Sequence, residues 1–124
     1  MSSIYNNQPL NRAVVTRVIR ELWPENRLVV LVALHCRLCL NRVLRLTSSS
    51  IDGDGLTVDG VHYPLPLPVL AALRRISDGY YIFPHRDYSG RHRTKQAIYT
   101  DFRRACRQLG YKRVTPRQIL RYLT

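Results

Sequence analysis

The chain has 124 residues, enough for one hydrophobic core and too few for two, and 45% of them are hydrophobic, so a single domain spanning residues 1–124 is expected. A formal net charge of +12 implies an acidic partner, and eighteen of the twenty basic residues are Arg, the side chain suited to bidentate contact with phosphate or guanine. Three Cys make no secreted-type disulfide framework, Met1–Gln8 lacks a signal-peptide core, and the longest apolar run, Leu28–Leu34, falls well short of the ~20 residues that span a bilayer, so a soluble, cytoplasmic protein without a membrane partner is expected.

Asn7-Gln8-Pro9 opens a first predicted helix, in which Leu10, Val14, Val18 and Leu22 recur every four residues. Trp23-Pro24 ends it, because proline disfavours helix in the residue before it. A second helix, from about Glu25, is apolar nearly all round through Leu28–Leu34 and is predicted to be the central core helix. Leu40, Val43, Leu44 and Leu46 mark a short helical segment, stopped by Thr47-Ser48-Ser49-Ser50. Leu56-Thr57-Val58 and Val61-His62-Tyr63 flank Asp59-Gly60, a strong two-residue hairpin signal. Pro64, Pro66 and Pro68 end that hairpin, Val69–Ile76 is a short helix, and Tyr80–Phe83 is predicted as a third strand, cut by Pro84.

A polar, basic loop from His85 to Arg93 leads into the best-punctuated helix, with Thr94 as N-cap and Gly110 as the left-handed terminator. Ile98, Phe102, Ala105 and Leu109 form its apolar stripe, while Gln96, Thr100, Arg103 and Arg107 fall on the other side. Half of all Lys and Arg lie between Arg91 and Arg121, against one acid, Asp101, and an asymmetry of this kind points to phosphate.

Two other motifs invite chemistry. His35-Cys36-Arg37-Leu38-Cys39 contains Cys-x-x-Cys, but a structural zinc site needs four ligands and no second pair exists, so the thiols are expected as i, i+3 core residues of one helix. Asp52-Gly53-Asp54-Gly55 lacks the later ligands of a calcium loop and reads as a turn leading into a strand. No metal or other cofactor is expected.

Ile82-Phe83-Pro84, Ser89-Gly90, the Thr94-to-Gly110 helix and the following Thr115-Pro116 resemble, in order and spacing, the C-terminal catalytic domain of tyrosine recombinases, the phage-type integrases. The stretch from Leu31 through Leu44-Arg45-Leu46-Thr47-Ser48 to Pro64-Leu65-Pro66 is similar to the first half of that domain, so the resemblance runs from about Leu10 to the C-terminus. It implies a mostly α fold with a small antiparallel β-sheet, of the integrase catalytic-domain type.

The family cleaves DNA with a Tyr nucleophile, while two Arg and accompanying His and Lys groups stabilise charge on the scissile phosphate. Here Cys39 stands at the first Arg position and Arg42 where the family has Glu; Arg37, two residues off, points about 200° away on a continuous helix. The hairpin has no Lys or Arg between Gly55 and Tyr63. After Thr115-Pro116 the His-x-Leu-Arg-His motif has two registers, one placing Arg117 for the first His and Leu120 for the Arg, the other keeping Leu120-Arg121 but losing both His. The chain stops at Thr124, before the segment that would bring the nucleophile, and the family's N-terminal arm-like domain is missing, so one half-clamp should bind weakly or need a partner.

The resulting expectation is no enzyme but a double-stranded DNA-binding accessory or regulatory protein of a mobile element, a plasmid or phage, as the resemblance implies. In the family the helix matching Thr94–Gly110 enters the major groove. Lys95, Gln96 and Tyr99 are expected at base edges, Arg91, Arg93, Arg103 and Arg107 at phosphates, and Arg42, Arg117 and Arg121 along the vestigial site, contacting the backbone. Two alternatives stay open, namely a module binding a DNA-processing partner such as a recombinase or relaxase, and a residual strand-transfer enzyme.

Overall fold

The computed structural model describes residues 10–123. Asn11 accepts the Val14 amide on its side chain at 3.0 Å and so starts helix α1, Arg12–Glu21. The expected opening at Asn7-Gln8-Pro9 lies outside the described residues. Pro24, which lacks an amide hydrogen, takes the first position of α2, Pro24–Cys36, so the Trp23-Pro24 pair both stops one helix and starts the next. Arg27 secures that corner by donating to the carbonyls of Ile19, Arg20 and Leu22 at 3.3, 2.7 and 3.1 Å, at the end of α1 where the helical ladder of amides stops.

Helix α2 is the centre of the core. Val29, Val30, Val32 and Ala33 are at most 1% exposed, and the helix touches α1, α3 (Leu40–Leu44), α4 (Leu67–Ile76) and α6 (Pro116–Leu123). Its low amphipathicity is the mark of a helix wrapped by others on most sides.

The three-stranded antiparallel sheet has the order β1 (Ile51–Asp52), β2 (Gly55–Val58), β3 (Val61–Pro64). Asp59 and Gly60 both take positive φ, 51° and 80°, the type I′ geometry whose twist matches the flanking strands. The Asp52–Gly55 segment is the turn between β1 and β2, as its composition suggested.

Two sequence-based expectations are corrected. Tyr80–Phe83 is no strand of this sheet, whose third strand is Ile51–Asp52; Tyr81 pairs with Thr47 and Pro84 with His92 in isolated bridges. Pro84 offers no amide for a ladder, and the side chains of Ile82 and Phe83 are drawn wholly into the core. The Cys-x-x-Cys stretch is also not one helix: α2 ends at Cys36, Arg37 turns left-handed at φ 55°, and Cys39 is the exposed residue before α3.

Bonds from Ser48 N to Tyr80 O (2.7 Å) and Ile82 N to Leu46 O (3.1 Å) close a neck around the sheet and α4. Beyond the neck the chain runs through the His85–Arg93 loop to α5, Lys95–Leu109, and then α6. Among the described residues no helix is long and apolar enough to cross a membrane.

Candidate nucleic-acid interface

Helix α5 begins where Thr94 Oγ1 accepts the Ala97 amide at 3.2 Å and ends at Gly110, left-handed with φ 72°, so both punctuating residues act as their types require. Ile98, Phe102 and Ala105 on one face are at most 1% exposed, which fixes the rotation of the helix about its axis. Gln96, Thr100, Arg103 and Arg107 are thereby left exposed along the opposite ridge.

The one acid of this basic stretch, Asp101, is turned away from the ridge and fully buried. It accepts the Trp23 backbone amide (2.8 Å), Asn26 Nδ2 (2.9 Å) and Arg104 Nε (2.9 Å), and so ties α5 to the α1–α2 corner. Arg104 also donates to Glu21 O at 2.6 Å. A carboxylate used inside leaves the ridge without a counter-charge, so its field stays positive.

The arginines divide by what they hold. Arg27 caps carbonyls, Arg42 pairs with Asp59 of the hairpin turn, Arg104 with Asp101, and Arg93 with Glu25 and with Asn26 Oδ1 (3.0 Å). Arg103, Arg107, Arg113 and Arg117 are exposed and have no side-chain hydrogen bond or ion pair among the described residues. The expectation that Arg93 holds a phosphate is corrected here: its side chain is 8% exposed and its charge is spent on Glu25. A residue just before an N-cap, facing the core, cannot be told by type from one facing solvent.

Two hollows flank the ridge. Towards the end of α5, Arg103, Arg107, Tyr111 and Arg113 line a cavity of about 300 Å³, and the Tyr111 hydroxyl accepts Arg17 Nη1 at 3.1 Å. On the other flank a cleft of about 240 Å³ between α3, α5 and α6 brings together Cys39, Asn41, Lys95, Tyr99 and Arg117. Lys95 Nζ stands 5.6 Å from the centre of the Tyr99 ring, and that ring is half-buried against the core, so Tyr99 lies on the cleft flank and not on the crest of the ridge. Arg42 is not in the lining of this cleft, being held towards Asp59. Arg121 lies one turn beyond Arg117 on α6, exposed, and Arg91 lies 5.5 Å from the centre of the Tyr88 ring in the preceding loop.

Helix α6 is set by a capping box. Thr115 Oγ1 accepts the Gln118 amide (3.2 Å), Gln118 Oε1 accepts the Thr115 amide (2.9 Å), and Pro116 takes the first helical position. This fixes Arg117 at the mouth of the cleft. The described residues include no group of three side chains able to ligate a metal. Burial pushes the thiols of Cys36 and Cys106 above their ordinary range.

Sequence reasoning missed Asp101 as a hub and Trp23 as an exposed ring, 46% accessible. A signal for the first was present: Asp101 sits between Ile98 and Phe102 on the apolar stripe and three residues before Arg104, a placement that requires a buried partner. Set against protein-family models, curated proteins and solved structures, the chain finds no match.

Proposed function

We propose that this chain is a non-catalytic double-stranded DNA-binding protein with a degenerate tyrosine-recombinase fold, acting as an accessory or regulatory protein of a mobile element. The observation that carries the reading is the division of the arginines: Arg27, Arg42, Arg93 and Arg104 are held by carboxylates and carbonyls, while Arg103 and Arg107 project from α5 unpaired, on the same ridge as Gln96 and with Asp101, the one acid of that helix, buried. A rigid helix that offers an amide side chain near its N-terminus and guanidiniums further along suits a major groove, with Gln96 at base edges and the arginines on phosphates.

The absence of catalysis rests on the sequence pattern. Cys39 replaces the family's first Arg, the hairpin carries no Lys or Arg, and Arg42 is neutralised by Asp59. The cleft of Lys95, Tyr99 and Arg117 retains positive charge suited to holding a DNA backbone.

The test is a gel shift on duplex DNA at several salt concentrations. Direct binding should weaken steeply with salt, and Arg107→Ala should weaken all sequences alike, lowering the slope of log affinity against log salt by roughly one. Gln96→Ala should instead alter sequence preference, by about 1–3 kcal/mol. If Arg103→Ala with Arg107→Ala left affinity and slope unchanged, α5 would not be the binding element and a protein-interaction module would be the better reading. A covalent phosphotyrosyl adduct on a nicked duplex would overturn the non-catalytic assignment.

A further inference from the structure

We propose that the cavity beside Trp23 binds one unpaired nucleobase of a DNA strand. Trp23 is the residue before α2, and its indole is 46% exposed although its backbone amide is fixed on buried Asp101. A large aromatic ring on a fixed main chain, left half in solvent, is a surface on which a planar group can stack.

Two guanidiniums lie over the ring. Arg104, 5.1 Å from the centroid, is anchored by Asp101 and the Glu21 carbonyl. Arg86, at 5.6 Å, has no hydrogen bond or ion pair among the described residues. The first is a fixture and the second is free to leave the ring, so a planar π-system can replace Arg86 there while its charge turns to the adjoining phosphate.

The space is available. Trp23, Arg86, Glu25 and Arg93 line a cavity of about 330 Å³, and a smaller one of about 190 Å³ continues past Arg86 to Thr94 and Thr100 at the start of α5. That volume is at the small end of the ~300–1,000 Å³ of ligand sites and suits a single base. Arg93 in its wall has its charge balanced by Glu25, so the wall is polar without repelling a neutral base. A paired base within a helix keeps its faces covered by its neighbours; only an unpaired one, at an overhang or bubble, offers a face to Trp23.

This assignment draws the class of ligand from the DNA reading, but Trp23 and Arg86 lie off the α5 crest, which the site meets only at Thr100, so the two can fail separately. Trp23 is the sole Trp, and its emission reports on the site directly. Emission is followed while the full chain is titrated with a blunt duplex, and with the same duplex carrying a labelled oligo(dT) overhang. Saturable quenching by the overhang and none by the blunt duplex is expected, and Trp23→Ala should weaken overhang binding about tenfold while leaving blunt-duplex affinity unchanged. Unchanged emission in a titration that saturates the labelled overhang would overturn the proposal and assign Trp23 to a protein contact, as would a Trp23→Ala variant that binds the overhang as wild type does. Retained blunt-duplex binding shows that the variant folds; if it does not fold, the wild-type emission decides alone. Overhang quenching without any blunt-duplex binding would sink the α5 reading and leave this one standing.

Discussion

Replacing Asp101 with Ala tests whether the buried carboxylate, more than the apolar stripe, locks α5 to the α1–α2 corner. The substitution removes the acceptor for three donors at 2.8–2.9 Å. Arg104 keeps the Glu21 carbonyl and the Trp23 amide is only partly buried, so both recover part of their loss. Asn26 Nδ2, in a residue with no exposure, has no other acceptor and remains orphaned. An orphaned buried donor costs about 1–3 kcal/mol, and a charge-assisted bond is worth about 1.5–3 kcal/mol. Together with the range for breaking a buried pair, these give a loss of about 3–5 kcal/mol. At roughly 4 °C per kcal/mol for a chain of this size, the melting temperature falls by about 12–20 °C. Asp101→Asn, which keeps one acceptor oxygen but turns an amide donor on another donor, should cost about 2 kcal/mol. Urea unfolding followed by far-UV circular dichroism measures both. A loss under about 1 kcal/mol for Asp101→Ala would show that packing of Ile98, Phe102 and Ala105 suffices and that the hub is incidental.

Cys39 is exposed while Cys36 and Cys106 are buried with raised thiol pKa, so limited maleimide treatment should add one label, at Cys39, and the other two sites should react only on unfolding; labelling of Cys36 at a comparable rate in an intact-mass time course would contradict the break at Arg37. A Cβ at Gly55 would stand 2.0 Å from the Tyr63 carbonyl oxygen, a contact with backbone that cannot swing aside, so Gly55→Ala should cost about 3 kcal/mol or more and melt the hairpin in an amide NMR spectrum, whereas a near-native spectrum would be the failing result. Asp54 is held below the ordinary carboxylate range by its bond from His62 Nε2, so its contribution is present above that range, about pH 4, and is lost as pH falls through the lowered folded value. The stability gap between wild type and Asp54→Asn should therefore close in acid, and a gap independent of pH would rule the bond out.

The helices were legible because their ends carry chemistry. Thr94 and Gly110 bound α5 as read, Trp23-Pro24 separates α1 from α2, and Asp59-Gly60 makes the hairpin turn. What the sequence hid depends on contacts distant along the chain. Ile51–Asp52 is too short to show a period and pairs only because the Gly53-Asp54 turn returns the chain. Tyr80–Phe83 has strand-like composition, yet it meets Leu46–Ser48 through one bridge, Thr47 with Tyr81, and not a ladder. Arg93 and Asp101 are charged, and charge predicts exposure until partners 67 and 75 residues away are known. The candidate site was therefore readable as a helix face but not in its flanks, where α3, α6 and the Trp23 corner contribute.

The neck between Leu46 and Ile82 bears on the order in which the protein assembles. The chain that it pinches off holds the two tight β-turns and α4, all made of contacts close in sequence, whereas closing the neck itself brings together residues more than thirty positions apart. The entropy of closing so long a loop is on the order of 3 kcal/mol if the intervening chain is flexible, and less once a hairpin and a helix have already shortened it. Local structure inside the neck thus lowers the barrier to forming it, and the low contact order of that segment favours its early formation. The tip at Asp59-Gly60, which is exposed and lies in a segment separate from α5, is then the point at which added residues would lengthen an already closed loop at little entropic cost and leave the basic ridge in place.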